Sequence, residues 1–235
     1  YEGVIANVKG AQRAAAARVD GMSMVIGASD VMNRGNVGMT AQESLALMPT
    51  IQEIAGNSNI PLMVGIVCAT GCPYTGAVPE ERVTWLADEL VRLGIEELWL
   101  ADTVGFGNPV QMKRLVTLIK KRHPLVSLGV HIHDTRGVGL ANTLACLEVG
   151  VTLLDGSVGG LGGCPFAPGS TGNVCTEDMV HMLHLMGMET GIDLDKLTDA
   201  ARLAQGIVGR SLPGRVMRAG KAFTLHPIPE ALRVR

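Results

Sequence analysis

Two histidines, His131 and His133, stand two residues apart at the end of an apolar run, with Asp134 directly after them. Period-two alternation in a strand turns both imidazoles to one face, where they can give two nitrogens to one divalent ion. Asp134 is placed to orient one of them from behind. Ordinary hydrogen-bonded histidines are the competing reading of such a pair. No other histidine lies near a strand end, so further ligands would be oxygens. Mixed nitrogen and oxygen ligation suits Mg2+ or Mn2+ at least as well as Zn2+.

Further on, residues 159–173 read GGLGGCPFAPGSTGN, a glycine-dense stretch around Cys164. Glycine allows tight shapes at an entropic cost on ordering. A loop this costly points to a flap closing over a site. A thiol between glycine and proline is accessible when the flap is open, and a metal's field would favour its thiolate when the flap shuts. The alternative is a small residue in a turn. Asn173 either caps the acidic helix start at Thr176-Glu177-Asp178 or turns its carbonyl oxygen to the ion. Asp102 closes another apolar run, as a site carboxylate or a turn cap, and Asp155 and Ser157 carry the same ambiguity.

These residues need elements to hold them. Apolar runs at Val4–Asn7, Met22–Ile26, Leu62–Val67, Leu98–Ala101, Ser127–His131 and Val151–Ser157 read as strands. Between them come helical patterns at Ala11–Arg18, Thr40–Ala55 with a Thr40/Glu43 capping box, Pro79–Leu93, Pro109–Arg122 and Leu140–Val149. Residues 33–36 read as loop. Helices over Thr176–Met186 and Asp193–Val208 follow, then a proline-bearing, loosely wrapped tail.

Strict alternation means βαβ units and a parallel sheet. No glycine fingerprint of a doubly wound sheet follows Val4 or Met22. Ser29-Asp30, Cys68, Asp102-Thr103, His131-His133-Asp134 and Asp155-Ser157 each follow a different strand, as at the mouth of a (β/α)8 TIM barrel. The fold expected is therefore α/β, a TIM barrel with about six of its eight units visible and the first one or two upstream of Tyr1. Residues 1–209 form the barrel domain, and 210–235 a tail packing on it.

Composition narrows the function. The chain of 235 residues is 47% hydrophobic but only 3% aromatic, which suits strands buried under helices. A net charge of −2 argues against nucleic acid as partner. No apolar run approaches a bilayer span, so no membrane partner is expected. The cysteine count, 5, is odd and suits a reducing compartment such as the bacterial cytoplasm. Cys68 and Cys72 lack the zinc-knuckle spacing and read as packing or pocket lining. His123, His181 and His184 read as surface or packing residues, and Met182, Met186 and Met188 as core filling.

The HIHDT segment at 131–135, Asp155-Gly156-Ser157-Val158, the Cys164 loop and Thr176-Glu177-Asp178 together closely resemble 3-hydroxy-3-methylglutaryl-CoA lyases, of the DRE-TIM metallolyase family. So do Asn7-Val8-Lys9-Gly10, the segment 68–74 and Ala101–Gly105. The loop around Cys164 is the specific part, since HxHD is shared with related synthases. The resemblance implies metal ligation by His131, His133 and Asn173. It also implies catalytic roles for Cys164, Asp102, His131 and Glu177, and substrate contacts from Asn36, Gly65, Trp99 and Thr103.

The implied reaction is retro-Claisen cleavage of an acyl-CoA thioester to acetyl-CoA and acetoacetate, with Mg2+ or Mn2+, in a homodimer. A condensing synthase and a non-catalytic metal-binding barrel are the rival readings. The family's signature Asp ligand and adjacent Arg on the first strand have no match in these residues, so a chain beginning at Tyr1 is expected to have a three-ligand site and little activity. The family also has Tyr at position 65 and Ser at 99, where this chain has Gly65 and Trp99, which implies a reshaped acyl site.

Overall fold

The computed structural model describes residues 1–230 except 165, 167, 168, 170 and 171. The chain divides into two compact units, one of residues 1–156 with 162–174, the other of 157–161 with 175–235. The first unit holds six parallel strands hydrogen-bonded in chain order: β1 (Glu2–Ile5), β2 (Gly21–Gly27), β3 (Leu62–Val67), β4 (Glu97–Asp102), β5 (Ser127–Ile132) and β6 (Leu153–Asp155). A parallel sheet whose order follows the sequence is the arrangement of a (β/α) barrel, and the expected fold class holds.

Alternation along these strands separates two faces. Met22, Met24 and Ile26, then Val64 and Ile66, Leu98 and Leu100, Val130 and Ile132 are all buried. Each such side chain contributes about 1.5–3 kcal/mol by leaving water. The other face carries Ser23, Val25, Met63, Trp99, His131 and Leu153, all only half-buried. Which face a residue joins is settled by register: Ala101 pairs with His131 and His131 with Asp155, whereas Asp102 pairs with Ile132.

Helices α1 (Val8–Ala17), α2 (Asp30–Val37), α3 (Ala41–Ala46), α4 (Met48–Asn57), α5 (Glu80–Arg92), α6 (Pro109–Arg122) and α7 (Gly139–Leu147) fill the connections of this unit. Two expectations need correction. Residues 33–36 are helical, because Ser29 caps α2 by accepting from the Met32 N–H and Asn33 is buried, its Oδ1 accepting from Gly27 N at 2.7 Å. The single helix expected over 40–55 is two, because Pro49 in the first turn of α4 lacks the N–H that would continue α3. The Thr40/Glu43 capping box is present as expected.

In the second unit, a 3-10 turn at Val158–Gly160 accompanies α8 (Thr176–Leu185), α9 (Leu194–Val208) and α10 (Val216–Ala219). The Asp178 carboxylate accepts from the backbone N–H groups of Arg215 and Val216, at 2.9 and 2.7 Å, and so starts α10. Residues after 210 therefore include a packed turn of helix. Among the described residues no helix is long and apolar enough to cross a membrane.

Candidate active site

The site is built at the end of β5. His131 Nδ1 lies 2.7 Å from Asp155 Oδ1 on the neighbouring strand. An ionised carboxylate only accepts, so Nδ1 carries a proton, and in the neutral ring Nε2 then carries the lone pair. That Nε2 stands 3.2 Å from His133 Nε2, the two rings meeting edge to face. Burial, and next the neighbouring His131, pushes the His133 imidazole down to about 4, so it is neutral near pH 7. Asp155 orients His131, and the Asp134 carboxylate accepts from Gly139 N, at 2.7 Å, where α7 begins.

Asn173 is brought to the same place by backbone. Val174 N donates to Ile132 O at 3.0 Å and Asp134 N to Gly172 O at 3.2 Å, which sets Asn173 opposite His133 as an antiparallel bridge. Two nitrogens each about 2.1 Å from one ion and at right angles to each other would stand about 3.0 Å apart. The imidazole pair at 3.2 Å matches that spacing, and Asn173 adds an oxygen-bearing neighbour. Among the described residues no group of three or more His, Cys, Asp or Glu is arranged to hold an ion.

The glycine loop has a closed neck. Gly172 N donates to Gly162 O at 2.9 Å. Gly162 has φ +91, and a Cβ there would meet Asn173 Nδ2 at 2.7 Å. Glycine at 162 is thus needed both for its backbone and to leave room for Asn173. Cys164, half-buried, stands two residues beyond this neck. Its charge, when present, is one of those felt by the Cys68 thiol, which burial pushes up to about 12. Tyr74 Oη donates to Phe166 O at 2.7 Å and so ties the β3 loop to the glycine loop. The centre of the loop, on which the closing-flap reading turns, includes residues outside those described.

The remaining residues singled out by sequence fall in several places. Asp102 is fully buried, and its register partner Ile132 puts it on the face away from His131. Its carboxylate accepts from the Thr70 hydroxyl and from the N–H groups of Phe106 and Gly107, at 3.0 and 3.1 Å. Burial nevertheless holds its pKa above the ordinary value. It organises the loop after β4 and is not brought to the histidines by its side chain.

Thr103 Oγ1 accepts from Cys68 N at 2.8 Å, steadying a non-glycine residue at φ +56. Asn36 is exposed on α2, beside Gly35, whose added Cβ would lie 4.0 Å from the Phe166 ring. Gly65 and Trp99 are register partners in the half-buried face. Glu177 is fully buried in the second unit, where Oε2 accepts from Gly159 N at 3.0 Å and burial raises its pKa. Tyr74 and Thr70 carried no sequence signal of these roles. The role of Asp155 depended on a register that spacing alone does not give.

A parallel α/β barrel with paired imidazoles at a strand end and a cysteine at a glycine neck defines a class, the barrel enzymes that work at the carboxyl ends of their strands. A family model described as HMGL-like matches residues 2–204, and the chain belongs to that family, one of carbon–carbon lyases. It is 37% identical over 222 residues to hydroxymethylglutaryl-CoA lyase YngG of Bacillus subtilis, covering 94% of this chain and 74% of the relative. With the mitochondrial hydroxymethylglutaryl-CoA lyase of Rattus norvegicus it shares 38% over 219 residues, 93% of this chain and 67% of the relative.

Among solved structures, an HMG-CoA lyase from Acinetobacter baumannii in complex with coenzyme A and 3-methylmalate superposes with a TM-score of 0.92 at 41% identity, over 97% of this chain and 75% of that one. The carboxyl transferase domain of Rhizobium etli pyruvate carboxylase, at 21% identity and a TM-score of 0.64, shares the fold alone.

Proposed function

We propose that this protein cleaves 3-hydroxy-3-methylglutaryl-CoA, or a close 3-hydroxyacyl-CoA, to acetyl-CoA and acetoacetate or the analogous 3-oxo acid. The observation that carries the reading is the imidazole pair with Nε2 atoms 3.2 Å apart, one ring locked by Asp155, beside Asn173. His131, His133 and Asn173 would hold a divalent ion, Mg2+ or Mn2+. When bound, such an ion supplies Lewis acidity toward the oxygens of the substrate.

The chain's own residues supply the rest. Loss of the tertiary hydroxyl proton lets the oxygen collapse to a ketone as the adjacent carbon–carbon bond breaks. The bonding pair passes into the thioester as an enolate, and the enolate carbon then takes a proton to give acetyl-CoA. Cys164, at the loop neck, is the proposed donor of that proton. In the neutral ring the Asp155 bond to Nδ1 leaves the lone pair on His131 Nε2, which either ligates or takes the tertiary hydroxyl proton. Asp102 acts through the loop after β4, and Glu177 through Gly159 at the head of the glycine stretch. The names of the relatives favour cleavage over the condensing synthase.

The experiment is acetyl-CoA release from 3-hydroxy-3-methylglutaryl-CoA with Mg2+ or Mn2+, alongside metal titration. Turnover that needs the ion and Cys164 is the expected result. Tight metal binding without turnover, in a protein extended upstream of Tyr1, would favour the non-catalytic barrel instead.

A further inference from the structure

Cys164 stands between two points at which the glycine loop is held. One is the neck, two residues before the cysteine, where Gly172 N donates to Gly162 O at 2.9 Å. The other is two residues after it, where the Phe166 carbonyl accepts from Tyr74 Oη at 2.7 Å. A chain pinned at one end leaves its next residues free to point in many directions. Pinned again four residues on, it keeps few of them. The hold at Phe166 therefore bears on where the thiol points, which the neck alone does not set.

The group that makes this hold is itself firmly seated. Tyr74 is at the tip of a turn closed by two backbone bonds, Cys72 N to Gly76 O at 2.8 Å and Gly76 N to Cys72 O at 2.9 Å. Gly76, at φ +78, supplies the left-handed conformation in that turn. The base of the turn is buried: the Cys72 sulfur accepts from Ser29 Oγ at 3.1 Å and from Tyr74 N at 3.5 Å. Ser29 also caps α2, and a Cβ on Gly35 of that helix would lie 4.0 Å from the Phe166 ring. Phe166 thus meets the turn at its carbonyl and α2 at its ring, and turn and helix are joined at Ser29. Tyr74 is 55% exposed, so it adds little to the core, and its hydroxyl serves the loop.

We infer that Tyr74 is a positioning residue for Cys164: its hydroxyl, carried on the Cys72–Gly76 turn, anchors the glycine loop at Phe166 and holds the thiol in its half-buried place. This rests on the proposed function for the task of the thiol, and on the two anchors alone for its placement. Tyr74 and the neck then have separate effects. Loss of the Tyr74 hydroxyl frees the thiol while the bonds that seat Asn173 stay intact.

The test is Tyr74→Phe in the full chain, which removes the hydroxyl and keeps the ring at an exposed position, so the fold is retained. Cys68, Cys72, Cys146 and Cys175 are buried, so iodoacetamide reads Cys164, with the alkylated peptide identified by mass spectrometry. The net worth of one hydrogen bond corresponds to a population shift of about fivefold. Y74F is expected to alkylate about fivefold faster at Cys164, and to cleave 3-hydroxy-3-methylglutaryl-CoA in Mn2+ with kcat about fivefold lower and KM within about twofold. Mn2+ affinity should stay within about twofold of the parent, since the neck is untouched. A change in alkylation of less than about twofold overturns the inference, whether or not the parent cleaves the thioester. Faster alkylation with unaltered kcat in an active parent overturns it too, and so does a loss of Mn2+ affinity equal to the loss in kcat. An inactive parent counts against the proposed function, and the alkylation rates then decide the placement of the thiol.

Discussion

Asp155 is the residue on which the metal reading turns most directly, and its removal has a calculable effect. The carboxylate holds His131 Nδ1 at 2.7 Å, and the side chains of the pair are 33% and 48% exposed. Carboxylates behind metal-ligating histidines are worth about 10–100-fold in metal affinity, or about 1.4–2.7 kcal/mol. Half-exposed partners are screened by water, so the lower end applies here.

Asp155→Ala is therefore expected to weaken Mn2+ binding about tenfold. Asp155→Asn keeps an oxygen that can accept from Nδ1 and loses only the charge, so it should weaken binding about threefold. Electron paramagnetic resonance of free Mn2+ reads both affinities without turnover. Because the side chain is half-exposed at the end of a three-residue strand, neither change should move the melting temperature appreciably. Mn2+ affinity within twofold of the parent in D155A would refute the argument that Asp155 sets the tautomer and direction of a ligand.

Three further outcomes follow from the same geometry. Cys164→Ser should cut kcat by about 10²–10⁴-fold, the usual worth of a positioned proton donor, while circular dichroism and melting stay unchanged; a fall of less than threefold would remove Cys164 from the chemistry. Gly162→Ala forces a left-handed backbone on alanine and drives its Cβ into Asn173 Nδ2, so it should cost about 1–2 kcal/mol in urea unfolding and lower Mn2+ affinity in the same variant; unaltered metal binding would separate Asn173 from the ligand set. For Glu177, burial raises the folded pKa above the unfolded value of 4.5, so the folded state holds a proton that the unfolded state has released. The stability linked to that proton is present below pH 4.5 and lost as pH climbs through the folded pKa. Thermal melts of the parent should fall across that window more steeply than those of Glu177→Gln, and parallel profiles would contradict the buried-acid account.

Alternation made the shared face of His131 and His133 legible, because it needs only the period of a strand. It left Asp102 and Asp155 equivalent, since each simply follows an apolar run. What separates them is register, a property of paired strands: Asp155 lies beside His131, whereas Asp102 lies beside Ile132 and turns to the loop it organises. The helix at 30–37 was hidden for a related reason. Asn33, Gly35 and Asn36 are poor helix formers, and the buried Asn33 amide, bonded to Gly27 N, Met39 O and Ser44 Oγ, outweighs that preference.

The glycine-dense stretch joins these two levels. Its composition announces a loop with chemistry, but composition assigns no separate task to each glycine. Gly159, at φ +64, leaves the space that Leu212 fills and gives its N–H to Glu177, so it serves the core of the second unit. Gly162 and Gly172 close the neck that seats Asn173 against His133. A loop pinned in this way delivers its first reactive residue, Cys164, two positions from a fixed point, whatever the rest of the loop does. The proposed proton donor is therefore positioned by the same bonds that position a proposed ligand. Damage at the neck should impair metal affinity and proton delivery together, whereas damage at Cys164 should impair proton delivery alone.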